Sequence, residues 1–406
     1  MRGEALDVAA ARGLLLAEAP PPRTEEVPLA ECVGRVTAAP VRAAAPVPGF
    51  DNSAMDGYAV RSADLAAGPA PLRLVGESRA GRPAAAGPGP GEAVWISTGA
   101  ALSPGADAVV PVEEAREEDS VVTPTAAPVR PGAHVRRAGE DVEAGAEVLP
   151  AGRRIGAAEV GVLANLGLAR VACARRPRLA LLTGGDELVE PGEPAGPGQI
   201  YDSNRFALLA MAAEAGAEAS HAGGMPDDPA GTREAIGAAL DADLLVLTGG
   251  VSVGRHDHVK EALAELGVEQ LFWRVALRPG GPTWGGVLRR PEGRPTLVFG
   301  LPGNPVSALV TFRLFAQPAL LAATGRDPDE ARTTAVLAEP VATKLGREVY
   351  LRCRLEPEEG GWLARLTSDR QGSHVLSSML GADCLAAIPA DRDTVEAGER
   401  VEVLLL

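Results

Sequence analysis

The chain has 406 residues, a formal net charge of −15 at pH 7, 46% hydrophobic, 23% charged and only 3% aromatic residues. That length exceeds the roughly 250–300 residues at which one hydrophobic core stops growing, so several domains are expected, with Ala, Leu and Val filling their cores. The acidic balance excludes a general nucleic-acid or anionic-membrane surface, which needs clustered Lys and Arg. Any anionic ligand has to be met locally, by backbone N–H groups at helix starts, placed arginines or a divalent cation.

Cys32, Cys173, Cys353 and Cys384 contain no C-x-x-C pair, so neither a disulfide framework nor a clustered zinc site is expected and the thiols read as reduced and cytoplasmic. Glu4, Asp7 and Arg12 break up the start, and no run approaches roughly 18 uninterrupted apolar residues, which leaves no expected signal peptide or membrane span.

In chain order, residues 1–45 read as a helix from Ala5 to Ala19, a Pro20-Pro21-Pro22 break and short alternating strands through Val27, Leu29 and Val36. Residues 70–150 are rich in Gly and Pro, with strand-like runs at Leu72–Val75, Ala93–Ile96, Ala108–Val112 and Val121–Thr123. The acidic run Glu113–Asp119 reads as a solvated turn. Pro46 to Val60 mixes two Asp, an Asn and a Ser around Gly57, a poor core strand and a poor linker that reads better as a structured functional loop.

Residues 178–325 alternate strand and helix patterns. Strands are expected at Leu179–Thr183, Ala217–His221, Leu244–Thr248, Leu271–Leu277 and Thr296–Phe299, and helices at Asn204–Ala215, Pro229–Leu240, Asp257–Leu266 and Val306–Ala323. Repeated βα units of this kind imply a doubly wound, mostly parallel sheet covered on both faces, with ligands at the carboxyl ends of its strands. Residues 330–406 return to alternation, with strands near Thr334–Leu337, Val349–Leu355, Trp362–Leu366, Cys384–Ile388 and Arg400–Leu405, which a small β-barrel accommodates.

Three glycine-rich segments directly follow expected strands: Thr183-Gly184-Gly185-Asp186-Glu187, Thr248-Gly249-Gly250-Val251-Ser252-Val253-Gly254 and Gly300-Leu301-Pro302-Gly303-Asn304-Pro305. Together they would line one crevice, where glycine lets the backbone approach a ligand and the helix beginning near Pro305 offers free N–H groups. None is a phosphate loop of the G-x-x-x-x-G-K-[ST] type, and none has a dinucleotide fingerprint. Asp186, Glu187, Asp227, Asp228 and Asp257 sit in these loops and suit Mg²⁺, although Asp227 or Asp228, just before Pro229, is also placed to cap a helix. His256-Asp257-His258 lacks further ligands for zinc, and His134, His221 and His374 are isolated. Arg278, ahead of Pro279-Gly280-Gly281-Pro282, places a cation at the crevice rim.

These residues resemble the molybdopterin molybdenumtransferases, the MoeA-type enzymes represented in animals by the C-terminal domain of gephyrin. The resemblance rests on Phe50–Ala59, Gly185-Asp186-Glu187-Leu188, Gly198–Asn204, Gly249–Gly254 and Gly300–Ser307, and covers nearly the whole chain. It implies an elongated N-terminal domain of residues 1–45 and 146–177, an inserted β-rich domain of 46–145, an α/β molybdopterin-binding domain of 178–328 and a C-terminal β-barrel of 329–406. It also implies a cytoplasmic homodimer that accepts adenylylated molybdopterin from an upstream molybdopterin adenylyltransferase, adds molybdenum from molybdate and releases AMP with Mg²⁺ present. By position, Asp56, Glu187, Asp257 and Asp228 would be catalytic, with Glu187 and Asp257 holding Mg²⁺. Thr98, Gly249, Gly250, Ser252, Arg278, Pro302, Pro305, Arg352 and Ser373 would bind substrate. Asp56 would act from across the dimer interface. Gly184 stands where the family usually has Thr or Ser, and Gly281 where many members have Lys. Competing readings are a gephyrin-like scaffold that binds a peptide through its barrel, and an adenylyltransferase acting on molybdopterin.

Overall fold

The structure is a computed structural model, describing residues 5–126, 128–249, 258–290 and 293–406. Its centre is a six-stranded sheet in the order 218–225, 178–184, 244–248, 296–301, 284–288, 269–273. The first four strands are mutually parallel, and Trp284–Leu288 runs antiparallel to both of its neighbours. Leu244–Thr248 and Thr296–Leu301 are buried along their full length, as expected of strands covered on both faces. One face packs on Leu208, Ala212, Phe312 and Leu320, the other on Ile236, Leu240 and Leu263.

The expected strand Leu271–Leu277 is divided: Glu269–Trp273 joins this sheet, while Leu277–Arg278 pairs with Glu348–Val349 of the C-terminal domain. Trp284–Leu288, unanticipated in the sequence, owes its place to two glycines. A Cβ on Gly285 would lie 2.5 Å from the Phe272 ring, and Gly286 leaves room for the Trp284 indole. The long helix Pro305–Ala323 is interrupted by a π-helical turn at Phe312–Ala316. By length and hydropathy it could cross a membrane, but 83% of its most apolar window is buried inside the protein, so it is a core helix.

The N-terminal helix Val8–Ala17 is capped by Asp7, whose carboxylate accepts from Ala10 N–H at 2.6 Å. Its Val8, Ala11 and Leu15 belong to the same core as Phe312 and Leu320, so the start of the chain packs on the α/β domain. Thr24–Pro28 pairs antiparallel with Arg170–Ala174, and Val41–Arg42 with Glu147–Leu149. Val27, Cys32, Leu149, Leu163 and Cys173 share one core, which makes segments far apart in sequence a single unit.

Between them lies a second six-stranded sheet, ordered 108–111, 57–60, 92–96, 72–78, 121–124, 115–118. Here two expectations are corrected. Gly57–Val60 is a fully buried inner strand and Asn52–Ser53 pairs with Val135–Arg136, so the loop is confined to the residues between and before them. The acidic run is not a turn: Ala115–Glu118 is an edge strand whose three charged side chains face solvent, a pattern that discourages edge-to-edge pairing. The C-terminal residues form the barrel anticipated from alternation. Strands 348–358, 361–366, 332–337, 400–405 and 384–388 follow one another in order, and 384–388 returns to 348–358 to close the circle.

Candidate active-site crevice

The strands ending at Gly184, Thr248 and Leu301 are adjacent and in register, with Thr183 opposite Thr248 and Thr248 opposite Leu301. Their three following loops therefore open at one place, and a crevice of about 910 Å³ lies there. Its walls include Glu187, Gly249, Pro302, Gly303 and Pro305 from those loops. Close backbone approach explains the glycines. Gly249 has φ +81°, and a Cβ there would sit 2.5 Å from the Gly184 carbonyl oxygen. Gly185, at φ +135°, leaves room for the Glu187 carboxylate, which a Cβ would meet at 2.5 Å.

Glu187 is exposed to the crevice, and its carboxylate makes no hydrogen bond or ion pair among the described residues. Asp227 also lines the wall, whereas the Asp228 carboxylate caps Pro229–Ala239 by accepting from Gly231 N–H at 2.9 Å. No group of three His, Cys, Asp or Glu is arranged to hold a metal among the described residues. An uncommitted Glu187 with Asp227 nearby fits Mg²⁺, which takes one or two carboxylates and completes its shell with water and substrate phosphate. Asp257, Gly250 and Ser252 lie outside the described residues.

Asn204, at the start of helix Ser203–Glu214, donates from Nδ2 to the Gly303 carbonyl at 2.8 Å and ties two walls together. Its Oδ1 is buried without a partner among the described residues, an acceptor suited to a ligand donor. The barrel supplies a further wall: His374 and Leu376 line the crevice, and the Ser373 carbonyl accepts from Val306 N–H at 3.1 Å, in the first turn of the crevice helix.

That barrel loop is braced by Arg352, which is fully buried. Arg352 donates from Nε to Ser378 Oγ at 3.0 Å and from Nη2 to the Gly372 carbonyl at 3.2 Å, and its Nη1 has no partner among the described residues. Burial, with a smaller contribution from the nearby Arg278 charge, pushes its guanidinium down to about 10. Arg278 itself is exposed and unpaired among the described residues, four positions before Pro282 of the crevice wall. At the departures noted above, Gly184 has Met225 Cε 3.0 Å from where a Cβ would lie, and Gly281 has carbonyl oxygens at 3.4 and 3.5 Å.

Asp56 and Thr98 are outside the crevice of the single chain but touch each other: Asp56 Oδ1 accepts from Thr98 N–H at 2.6 Å and from Thr98 Oγ1 at 3.0 Å. The backbone N–H bond, followed by the hydroxyl bond, holds the Asp56 carboxyl below the usual carboxylate range. The neighbouring Asp51 accepts from Ala138 N–H at 2.8 Å and pairs with Arg137 at 2.6 Å, which anchors the same loop.

Asn204 and His374 are crevice residues that the sequence does not mark as such, whereas Asp227 stands among the carboxylates expected to suit Mg²⁺. Asn204 closes the Gly198–Asn204 motif, and Asp227 adjoins Asp228; no spacing signals His374, which reaches the crevice only through the docking of the barrel.

Family models match in the same order as the structural units: MoeA N-terminal region (domain I and II) over residues 6–167, probable molybdopterin binding domain over 180–322, and MoeA C-terminal region (domain IV) over 334–406. A molybdopterin molybdenumtransferase of Haemophilus influenzae is 37% identical over 97% of this chain and 96% of its own length. Molybdopterin molybdenumtransferase 1 of Mycobacterium tuberculosis is 36% identical, covering 95% of each. Among solved structures, the molybdopterin biosynthesis MoeA protein of Pyrococcus horikoshii superposes with a TM-score of 0.85 at 33% identity, over 99% of both chains. With sequence, domain order and whole-chain architecture in agreement, the chain belongs to the molybdopterin molybdenumtransferase family.

Proposed function

We propose that this protein is an enzyme that inserts molybdenum into molybdopterin, and that its substrates are adenylylated molybdopterin and molybdate. Written in balance, adenylylated molybdopterin, molybdate and one proton give molybdenum-loaded molybdopterin, AMP and water. The observation that carries the reading is the crevice at the ends of three parallel strands, where Glu187 has no partner among the described residues, and whose barrel wall, with His374, is braced from behind by the buried Arg352.

The two groups suit different parts of the substrates. Arg352 and Arg278 supply positive charge beside the barrel loop of Ser373, where a tetrahedral oxyanion gains charge-assisted hydrogen bonds. Gly249, Pro302 and Pro305 shape a floor that a large ligand can approach closely, and Asn204 Oδ1 accepts from a ligand N–H. Glu187, with Asp227 or Asp257, would hold Mg²⁺, which when bound neutralises phosphoanhydride charge and favours departure of AMP. Asp56, kept ionised by Thr98, is suited to orient or deprotonate a water. It reaches a crevice when a second copy of the chain brings its 46–145 domain there, so the working unit is a homodimer in this reading. Production of the substrate by a molybdopterin adenylyltransferase in the cytoplasm completes it.

Incubation of purified protein with adenylylated molybdopterin, molybdate and Mg²⁺ tests the proposal. AMP and a molybdenum-loaded pterin are the expected products. No AMP from wild type, or equal AMP from Asp257→Ala, rejects it.

A further inference from the structure

A second, smaller cavity lies away from the crevice, where the N-terminal unit meets the α/β domain. It measures about 140 Å³, and four arginines, Arg35, Arg154, Arg176 and Arg326, line it against one carboxylate, Glu214. In a chain of net charge −15 such a concentration of cations is against the general trend. Arg35 pairs with Glu25 and Arg326 with Glu330, but Arg154 and Arg176 form no ion pair or side-chain hydrogen bond among the described residues. Arg35 Nε is also buried with no partner among the described residues. Like charges gathered without enough counter-charge repel one another, and an anion between them relieves that repulsion.

We propose that this cavity is a binding site for a tetrahedral dianion of the phosphate or sulfate type. Guanidinium forks match the oxygens of such an ion, and a volume well below the roughly 300–1,000 Å³ of pockets for drug-sized ligands limits the occupant to a small group. The arginines come from separate parts of the chain. Arg35, Arg154 and Arg176 belong to the N-terminal unit, and Arg326 follows the long core helix of the α/β domain. The two bodies are already in close backbone contact beside the cavity, since a Cβ on Gly152 would run into the Gly325 carbonyl oxygen. A dianion held by both bodies fastens this junction and stabilises the folded chain by mass action.

The test titrates purified full-length protein with sodium sulfate, potassium phosphate and AMP by calorimetry and by thermal melting, against sodium chloride at matched ionic strength. Saturable sulfate binding and a rise in Tm that chloride does not reproduce are expected. Arg154→Ala with Arg176→Ala should weaken sulfate at least tenfold, whereas Arg278→Ala should leave this binding in place, which separates it from any oxyanion bound in the crevice. Arg154→Lys with Arg176→Lys keeps the charge and serves if the alanine variant does not fold; a loss of several-fold is expected there because the forks are gone. AMP tighter than sulfate identifies the phosphoryl group of a larger ligand as the occupant, and AMP no tighter identifies the free ion. Sulfate binding unchanged in the lysine variant, lost in Arg278→Ala or matched by chloride overturns the assignment.

Discussion

Asp56 and Thr98, 42 positions apart, are joined by two hydrogen bonds to a single carboxylate oxygen, at 2.6 and 3.0 Å. The bonds favour the ionised form, so the folded-state pKa lies below the ordinary value of 3.8. The stabilisation is present above that ordinary value and is lost as pH falls through the lower folded-state one. An NMR titration should therefore find Asp56 ionised at every pH where the enzyme works, and Thr98→Val should raise its pKa toward 3.8. Asp56→Asn should keep the fold and lower kcat for AMP release by about a hundredfold, in the range of a lost general acid–base group.

Glu187→Gln removes a crevice carboxylate that has no partner among the described residues, with little change in shape. AMP release should fall at least tenfold, with the Mg²⁺ concentration for half-maximal rate displaced upward; an unchanged Mg²⁺ dependence separates Glu187 from the metal.

Gly249→Ala puts a methyl group against the Gly184 carbonyl oxygen, at a backbone φ of +81°. Strain of this kind costs about 1–3 kcal/mol. Urea unfolding should register that loss, and activity should fall with it because the floor of the crevice must shift.

Arg352→Lys keeps a cation but gives up the fork that joins Ser378 to Gly372. The KM for molybdate should rise at least tenfold while kcat at saturation changes less, the pattern of a binding residue. Steady-state kinetics with varied molybdate check it.

Tyr58 donates to Glu117 at 2.8 Å, and burial together with that carboxylate pushes its phenol up to about 12 from 10. The neutral phenol is the favoured form, so its contribution to stability is whole below pH 10 and lost as pH rises through about 12. Absorbance titration should show two late-ionising tyrosines, Tyr58 and Tyr350, the latter raised further by burial and by the Glu348 carboxylate, and Tyr58→Phe should remove the earlier of the two and cost about 0.5–1.5 kcal/mol at neutral pH.

Much of the architecture is legible in the sequence because periodicity is a local property. The five barrel strands and the parallel strands at 179–183 and 244–248 alternate or run apolar as their burial requires. Trp284–Leu288 is hidden because Gly285 and Gly286 read as loop, and only contact with Phe272 and Trp284 shows why they are glycines. Gly57–Val60 is hidden by the polar residues before it. In the site, Glu187, Gly249, Pro302 and Pro305 lie where strand ends place them, whereas His374 arrives by tertiary contact alone. The pairing of Asp56 with Thr98 joins two segments that composition and spacing leave unconnected.

The bond from Val306 N–H to the Ser373 carbonyl gives the mouth of the crevice a width that no single domain determines. One rim is the first turn of a helix rooted in the α/β core, and the other is a loop carried by a closed barrel. The two rims keep their spacing because the barrel's Tyr350, Leu385 and Leu404 share the α/β core and its strand at 348–349 pairs with Leu277–Arg278. Exchange of barrels between relatives would then retune access to the same chemistry, and a chain ending before residue 329 would keep its central sheet but surrender one rim of its cleft.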